Sequence, residues 1–336
     1  MIIEYNKSLR SLNTFGVNCI AENFINIKKD EDIKESIQYL TNTKKNHFIL
    51  GGGSNILLTK NITGVVLHNQ INGIKIIDND NASVIIKVGS GLIWNDFVNW
   101  SIKNKLWGIE NLILIPGTTG AAPIQNIGAY GTEIKDVLVN VTGFNMLTGE
   151  KKTFNNKECE FEYRSSIFKR KLKNDFFITE LCIKLKKNGK PNLKYETLKI
   201  ESEKEKKEIS LKKIAELVSK IRNSKLPNPL EIGNAGSFFK NPIISIETFK
   251  KIQNDYPDVK FFPLKKKVKL SAGWLIEKCG WKKNRKKNCG VYKNQALVLI
   301  NFGKASGLEI KELSNEIIND INAKFGITLE NEVQIF

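Results

Sequence analysis

Three well-separated side chains of this 336-residue chain, an arginine, a serine and a glutamate, are of types that could carry chemistry. Arg164 stands in Tyr163-Arg164-Ser165-Ser166-Ile167-Phe168, between an aromatic ring and two hydroxyls. A guanidinium clamps a carboxylate, or spreads its charge, through two parallel hydrogen bonds, and a surface salt bridge is the plainer use of the same group. Ser237 lies in Gly233-Asn234-Ala235-Gly236-Ser237-Phe238-Phe239-Lys240-Asn241-Pro242, read as a glycine-rich bend between two helices. Neither His47 nor His68 is near it in sequence, so a Ser-His-Asp triad has little support. As a proton donor a serine hydroxyl needs a strongly basic carbanion to protonate, or neighbours that stabilise the alkoxide; as a turn serine it only bonds its own backbone. In Leu329-Glu330-Asn331-Glu332-Val333-Gln334-Ile335 the alternation puts Leu329, Val333 and Ile335 on one face of a strand and Glu332 on the other. An ordinary solvated carboxylate would also sit there.

Glycine loops could bring a ligand to such groups. The run Pro116 to Gly131, PGTTGAAPIQNIGAYG, carries four glycines, two prolines, Gln125 and Asn126, and should turn backbone N–H groups toward one point. Convergent N–H groups suit an anion such as a phosphate. A second run, Leu50-Gly51-Gly52-Gly53-Ser54-Asn55, follows the apolar Phe48-Ile49-Leu50 and turns at the end of a strand. Two such loops suggest a large phosphate-containing ligand, the alternative being a pair of tight turns. Common nucleotide fingerprints do not fit. Gly-x-Gly-x-x-Gly from Gly51 ends on Ile56, and a P-loop ending at Gly303-Lys304 would need glycine at Val298 and Ser or Thr at Ala305.

Composition bounds the setting. The length allows two or three domains, and an apolar share of 41% is ordinary for a globular protein. No stretch is long and apolar enough to cross a bilayer, and the start lacks a secretion signal, so a cytoplasmic protein is expected. The odd set Cys19, Cys159, Cys182, Cys279 and Cys289 has no Cys-x-x-Cys pair, which favours reduced thiols and no metal site. A net charge of +18 keeps a basic nucleic-acid-binding protein as a rival. Lysine alternating with glutamate from Lys199 to Lys213 reads instead as a solvated face.

The elements that must position these residues follow from periodicity. Asp30-Glu31-Asp32 opens a helix with Ile33, Ile37 and Leu40 on one stripe. Strands are expected at Gly64 to Asn69, Ile74 to Ile77 and Ser83 to Val88, then a helix from about Leu92 to Lys103 with Trp94, Phe97 and Trp100 in the core. Val137 to Asn145 and Lys151 to Phe154 read as a hairpin, and Phe176 to Leu185 as a strand. Lys186 to Ile209 reads as a linker or surface insertion. Helices follow from Ser210, from Ser271 to Cys279 and from Leu308 to Phe325, with a buried strand from Ala296 to Asn301. Strands and helices mix without regular alternation, which makes the class α+β.

Taken together, the motifs Leu50 to Asn55, Pro116 to Gly131, Tyr163-Arg164, Ser224-Lys225-Leu226-Pro227, Gly233 to Pro242 and Leu329 to Val333 occur in the order and spacing of one family. From about Asn13-Thr14-Phe15-Gly16 onward the chain resembles the UDP-N-acetylenolpyruvoylglucosamine reductase (MurB) family of bacterial peptidoglycan synthesis. The resemblance implies an FAD-binding region in two parts, of the vanillyl-alcohol-oxidase type, over residues 1–70 (completed by 326–336) and 71–209. A UDP-sugar-binding domain would span 210–325.

Gly51, Gly52, Gly53, Ser54, Asn55, Gly117, Thr118, Thr119, Gly120, Gln125, Asn126, Gly128, Tyr130, Gly131 and Arg222 match the family's FAD contacts. Tyr163, Lys225, Asn241 and Gln295 match its substrate contacts, and Tyr195 matches a tyrosine that closes over the UDP-sugar in the longer of the family's two types. The implied chemistry is hydride transfer from NADPH through FAD N5 to the terminal carbon of an enolpyruvyl group. Arg164 and Glu332 would stabilise the resulting charge, and Ser237 would protonate the carbanion. Ala121-Ala122 departs from the hydroxyl residues that relatives often carry there. A monomer without membrane or specific nucleic-acid partners is expected. A flavin oxidase of the same fold is the rival within enzymes.

Overall fold

In the computed structural model residues 1–205 and 208–336 are described. They form two units: Met1–Lys7, Ile20–Gly53 and Ile62–Asn223 make the first, and Ser8–Cys19, Ser54–Asn61 and Ser224–Phe336 the second. Both mix helices with sheets, and the class is α+β.

The first unit holds two sheets. One has the order Glu4–Ser8, Ile20–Ile27, Ile62–Asn69, His47–Leu50, and its last three strands run parallel. Near-continuous apolar runs fit parallel strands covered on both faces: Ile25, Val65 and Leu67 on one face and Phe24 and Val66 on the other are all buried. Helix α1, Asp30–Thr43, supplies Ile33 and Leu40 to that core. It starts where Asp32 accepts the backbone N–H groups of Lys28 and Lys29, and ends at Lys44 with φ 54°.

The other sheet is antiparallel, in the order Lys151–Asn155, Leu138–Asn145, Phe176–Lys186, Ser83–Gly89, Ile74–Asn79. The expected hairpin turns at Gly149, whose φ of 73° suits glycine. Helix α2, Trp94–Lys103, buries Trp94, Phe97 and Val98 in the same cluster as Ile86 and Leu181. Phe97 is fully buried, so Phe97→Ala should destabilise the protein by about 3–5 kcal/mol, read as a lower chemical-denaturation midpoint at unchanged slope.

The stretch read as a linker or insertion contains a helix, α3, Glu196–Glu203. Its sequence hides the fact, since only Leu198 and Ser202 are buried. The charges around it do form a solvated face, with Lys199 near Glu203, Lys204 on Glu201 and Lys213 on Glu205. Lys206 and Lys207 of that stretch lie outside the described residues. Helix α4, Leu211–Lys225, presents Ile214, Leu217, Val218 and Ile221 to the core of the first unit.

The second unit is built on the antiparallel order Gly233–Ser237, Val298–Asn301, Cys289–Val291, with a smaller sheet of Ile243–Ile244, Val268–Leu270 and Phe261–Pro263. Gly233 to Ser237 is therefore a strand and not a bend between helices. Asn234 pairs with Ile300 and Ser237 with Val298, and a bulge falls between them. The helices are α5, Ile246–Asp255; α6, Ala272–Lys278; and α7, Gly307–Phe325. Ser306 and Glu309 form a capping box at the start of α7, and Gly326, at φ 64°, ends it. At the C-terminus the alternation holds for Leu329 and Val333, which are buried, but regular pairing is confined to Gln334–Ile335, parallel to Ile56–Leu57.

All five cysteines are free thiols, and burial pushes Cys159 up to about 12 and Cys289 to about 11. Among the described residues no cluster of His, Cys, Asp and Glu could hold a metal, and no helix is long and apolar enough to cross a membrane.

Candidate active site

Both glycine loops flank one point of the first unit. Gly51 and Gly52 follow the parallel strand His47–Leu50, and a Cβ placed on Gly52 would lie 2.8 Å from Gly117 Cα. On Gly51 it would lie 2.8 Å from Thr118 Oγ1. The backbones touch, so only glycine fits, and the amide groups of both loops are left close to one another. The loop bends as its composition demanded. Gly117 and Gly131 have φ of 110° and 85°, and Leu114, Asn126 and Tyr130 take positive φ despite their side chains.

Side chains inside the loop hold that shape. Thr119 Oγ1 donates to the Gly89 carbonyl at 2.6 Å. Asn126 is fully buried; its amide donates to Glu133 Oε2 and to the Glu162 carbonyl at 3.1 Å each, while its oxygen accepts from Lys135 N. Gly120 packs so closely on Ser90 that a Cβ would lie 2.6 Å from the serine's own. Lys169 Nζ donates to Gln125 Oε1 at 3.3 Å. Thr119 and Asn126 thus spend their side chains on the loop itself, and their backbone N–H groups donate to the Leu92 and Pro123 carbonyls. Ala121-Ala122 fits the same picture, because Ala121 N and Ala122 N close the 3₁₀ turn onto Thr118 O and Thr119 O.

Arg222, on the last turns of α4, points an Nη2 to the Leu114 carbonyl at 3.1 Å, but its Nε is buried with no partner among the described residues. Burial pulls its guanidinium down from the usual value, partly offset by Tyr130. A buried orphan donor beside a glycine loop calls for an acceptor that the protein itself does not supply. Tyr130 lies at the same place, its hydroxyl pushed up by burial, and its ring meets that of Tyr195 edge-on at 5.1 Å.

Arg164 also belongs to the first unit. Its φ is 53°, its Nη2 donates to the Gly128 carbonyl at 2.8 Å, and its guanidinium lies over the Tyr163 ring at 5.3 Å. A Cβ on Gly128 would stand 3.1 Å from Arg164 Nη1. The left-handed backbone and the bond to the glycine loop aim this arginine at the loop's neighbourhood, which a surface salt bridge would not require.

The second unit carries Ser54, Asn55, Lys225, Ser237, Asn241, Gln295 and Glu332. Ser237 and Glu332 lie on adjoining segments. Phe238 N donates to the Leu297 carbonyl at 2.7 Å, and the Phe238 carbonyl accepts from Glu332 N at 2.8 Å. Asn55 brackets the glutamate: its amide donates to the Glu332 carbonyl at 3.3 Å, and its carbonyl accepts from Gln334 N at 3.0 Å. Phe238 and Phe239 are both buried, so the segment is anchored on each side of its pairing with Glu330 to Glu332. Asn241 and Gln295 meet at the first turn of α6, where Asn241 Oδ1 accepts from Ala272 N at 2.9 Å. Gln295 Oε1 would be 3.2 Å from a Cβ on Gly273.

Sequence reasoning missed Asn111 and Asn192, which hold the loop and the segment before Tyr195, because their partners lie far along the chain.

Comparison with known proteins gives the family of the chain. Residues 21–154 match the family described as FAD binding domain, and residues 228–336 match the UDP-N-acetylenolpyruvoylglucosamine reductase C-terminal domain. The first match makes the chain a flavoprotein of the FAD-binding class, in agreement with the paired glycine loops. The chain is similar to the UDP-N-acetylenolpyruvoylglucosamine reductase of Flavobacterium johnsoniae, 46% identical over 338 residues and 100% of both chains. It is also similar to that of Porphyromonas gingivalis, 41% identical over 335 residues and 99% of each. The crystal structure of the reductase (MurB) from Thermus caldophilus superposes with a TM-score of 0.68 at 22% identity, over 100% of this chain and 98% of that one. The chain belongs to the UDP-N-acetylenolpyruvoylglucosamine reductase family.

The residues present fit FAD. The touching glycine loops bring two main chains together where a pyrophosphate would lie, and the orphan Arg222 Nε would supply a donor. Gly52→Val forces the two backbones apart at a cost of roughly 1–3 kcal/mol, or about fivefold to 150-fold in FAD affinity. The expected result is a colourless protein after gel filtration, with the affinity loss read by flavin fluorescence titration.

Proposed function

We propose that this protein reduces the enolpyruvyl group of UDP-N-acetylglucosamine enolpyruvate to the lactyl ether, giving UDP-N-acetylmuramate for peptidoglycan synthesis, with FAD as cofactor and NADPH as hydride donor. The observation that carries the reading is end-to-end identity of 46% to a reductase of that name, with both of its domains matched. FAD, when bound, would supply the hydride for the terminal carbon of the double bond, with NADPH as the donor.

The protein's own residues manage what that transfer leaves behind. Charge builds on the carbon beside the substrate carboxylate and spreads into it as an enolate. We assign Arg164 to that carboxylate, supported by a guanidinium already oriented through the Gly128 carbonyl. Glu332 shares a proton with the same enolate and is held by backbone bonds on both sides. Ser237 Oγ–H gives its proton to the carbanion, a base strong enough to take it, and the serine recovers a proton from solvent. Tyr163, Lys225, Asn241 and Gln295 are assigned to the UDP-sugar and Tyr195 to closure over it. The meeting of Asn241 and Gln295 at one helix turn supports a shared ligand.

FAD is assigned to the segments 1–70 with 326–336 and 71–209, together with Arg222, and the rest of the UDP-sugar's contacts to 210–325. We read the protein as a cytoplasmic monomer with no specific nucleic-acid partner. Ion pairing of many lysines with glutamates supports this reading over a polyanion-binding one.

The test is a steady-state assay on the purified yellow protein. NADPH oxidation should require the UDP-enolpyruvyl sugar, and the product should be heavier by two hydrogens. NADPH consumption with oxygen alone, indifferent to the sugar, would favour a flavin oxidase.

A further inference from the structure

We propose that Asn111 and Asn192 are positioning residues that clamp the segment carrying Tyr195 to the glycine loop at Tyr130 and Gly131, and so set the affinity for the UDP-sugar. The proposal rests on Tyr195 closing over that substrate. Asn111 is almost fully buried, and both hydrogens of its amide are committed: one to the Tyr130 carbonyl at 2.8 Å, the other to the Asn192 carbonyl at 2.9 Å. Asn192 answers from the other side. Its amide donates to the Gly131 carbonyl at 2.9 Å and to Thr132 Oγ1 at 3.0 Å, while its oxygen accepts from Lys194 N at 3.2 Å.

The clamp is built around glycine. Gly131 has a φ of 85°, and a Cβ there would stand 3.1 Å from Lys194 Cβ and 3.3 Å from Asn192 Oδ1. One residue past Lys194, the exposed Tyr195 ring leans edge-on against Tyr130. The segment, Asn192 included, borders an open cavity of about 590 Å³ that is also lined by Leu193, Lys194, Lys199 and Ser202. Leu193 packs against the core of the first unit, and the polar bonds fix its neighbours Asn192 and Lys194 in place. Asn111 also leaves its oxygen buried without a partner among the described residues, a cost of desolvation tolerated where the amide has a fixed positional task. A loop held in its closing position binds substrate without first losing its own freedom, and releasing it weakens binding while leaving steps that do not use the loop unchanged.

The experiment compares Asn192→Ala, Tyr195→Ala and the double variant in the FAD-loaded protein. Asn192 is half-buried, so its truncation should be compatible with folding, and retained flavin confirms it. Asn192→Ala should raise KM for the UDP-enolpyruvyl sugar roughly tenfold, with flavin reduction by NADPH within about twofold of wild type. Tyr195→Ala should raise KM as well, and adding Asn192→Ala to it should raise KM no further, because the clamp acts only through that ring. An unchanged KM in Asn192→Ala, or the same tenfold rise in both backgrounds, overturns the proposal. If Tyr195→Ala alone leaves KM unchanged, the closing function of Tyr195 is wrong and the clamp proposal falls with it. A wild-type protein that does not turn over the sugar instead marks failure of the functional reading itself.

Discussion

Ser237→Ala is expected to reduce flavin with NADPH at close to the wild-type rate and to pass that hydride on to the UDP-enolpyruvyl sugar about 10²–10⁴-fold more slowly. The split follows from the chemistry. Flavin reduction generates no carbanion, whereas hydride addition to the enol ether leaves one that must be protonated. Structure favours a clean variant, because the segment's backbone bonds do not involve the hydroxyl: Phe238 N to Leu297 O, and Glu332 N to Phe238 O, persist in alanine. Stopped-flow absorbance resolves the two half-reactions separately. If both survive, Ser237 is not the proton donor.

Glu332→Gln should lower the rate of the same second half-reaction by about 10²–10³-fold, the usual consequence of losing one group that stabilises transition-state charge. Glutamine keeps the size and the backbone pairing to Phe238 and Asn55, but no longer shares a carboxyl proton. Glu330 provides the control, two residues away on the same segment and largely exposed beside Lys240. Glu330→Gln should behave as wild type, since an exposed ion pair of this kind contributes little. Equal losses in both variants would show that the effect is one of general negative charge, and the assignment to Glu332 would fail.

The reach of sequence reasoning varied with how local the cause was. Helices α1, α2, α6 and α7 were legible because caps and apolar stripes lie within the elements, as with Ser306 and Gly326 around α7. The glycine loops were legible too, since positive φ at Gly117 and Gly131 is a property of the residues themselves.

Gly233 to Ser237 was not. Gly-Asn-Ala-Gly-Ser has no strand pattern, and it is extended because Val298–Asn301, far along the chain, pairs with it. Helix α3 escaped notice because two buried residues give no periodicity among so many lysines and glutamates. Of the residues matched to the family, the geometry explains best those whose bonds are visible: Gly52 against Gly117, Arg164 on Gly128 and Glu332 beside Asn55. Asn111 could not have been singled out, because its two partners are 19 and 81 positions away.

The most direct test of the account is an anaerobic titration of the purified protein, followed through the flavin absorbance. One equivalent of NADPH should bleach the yellow band, and adding the UDP-enolpyruvyl sugar should restore it with formation of the lactyl ether. A band that NADPH cannot bleach, or that stays bleached when the sugar is added, would contradict it.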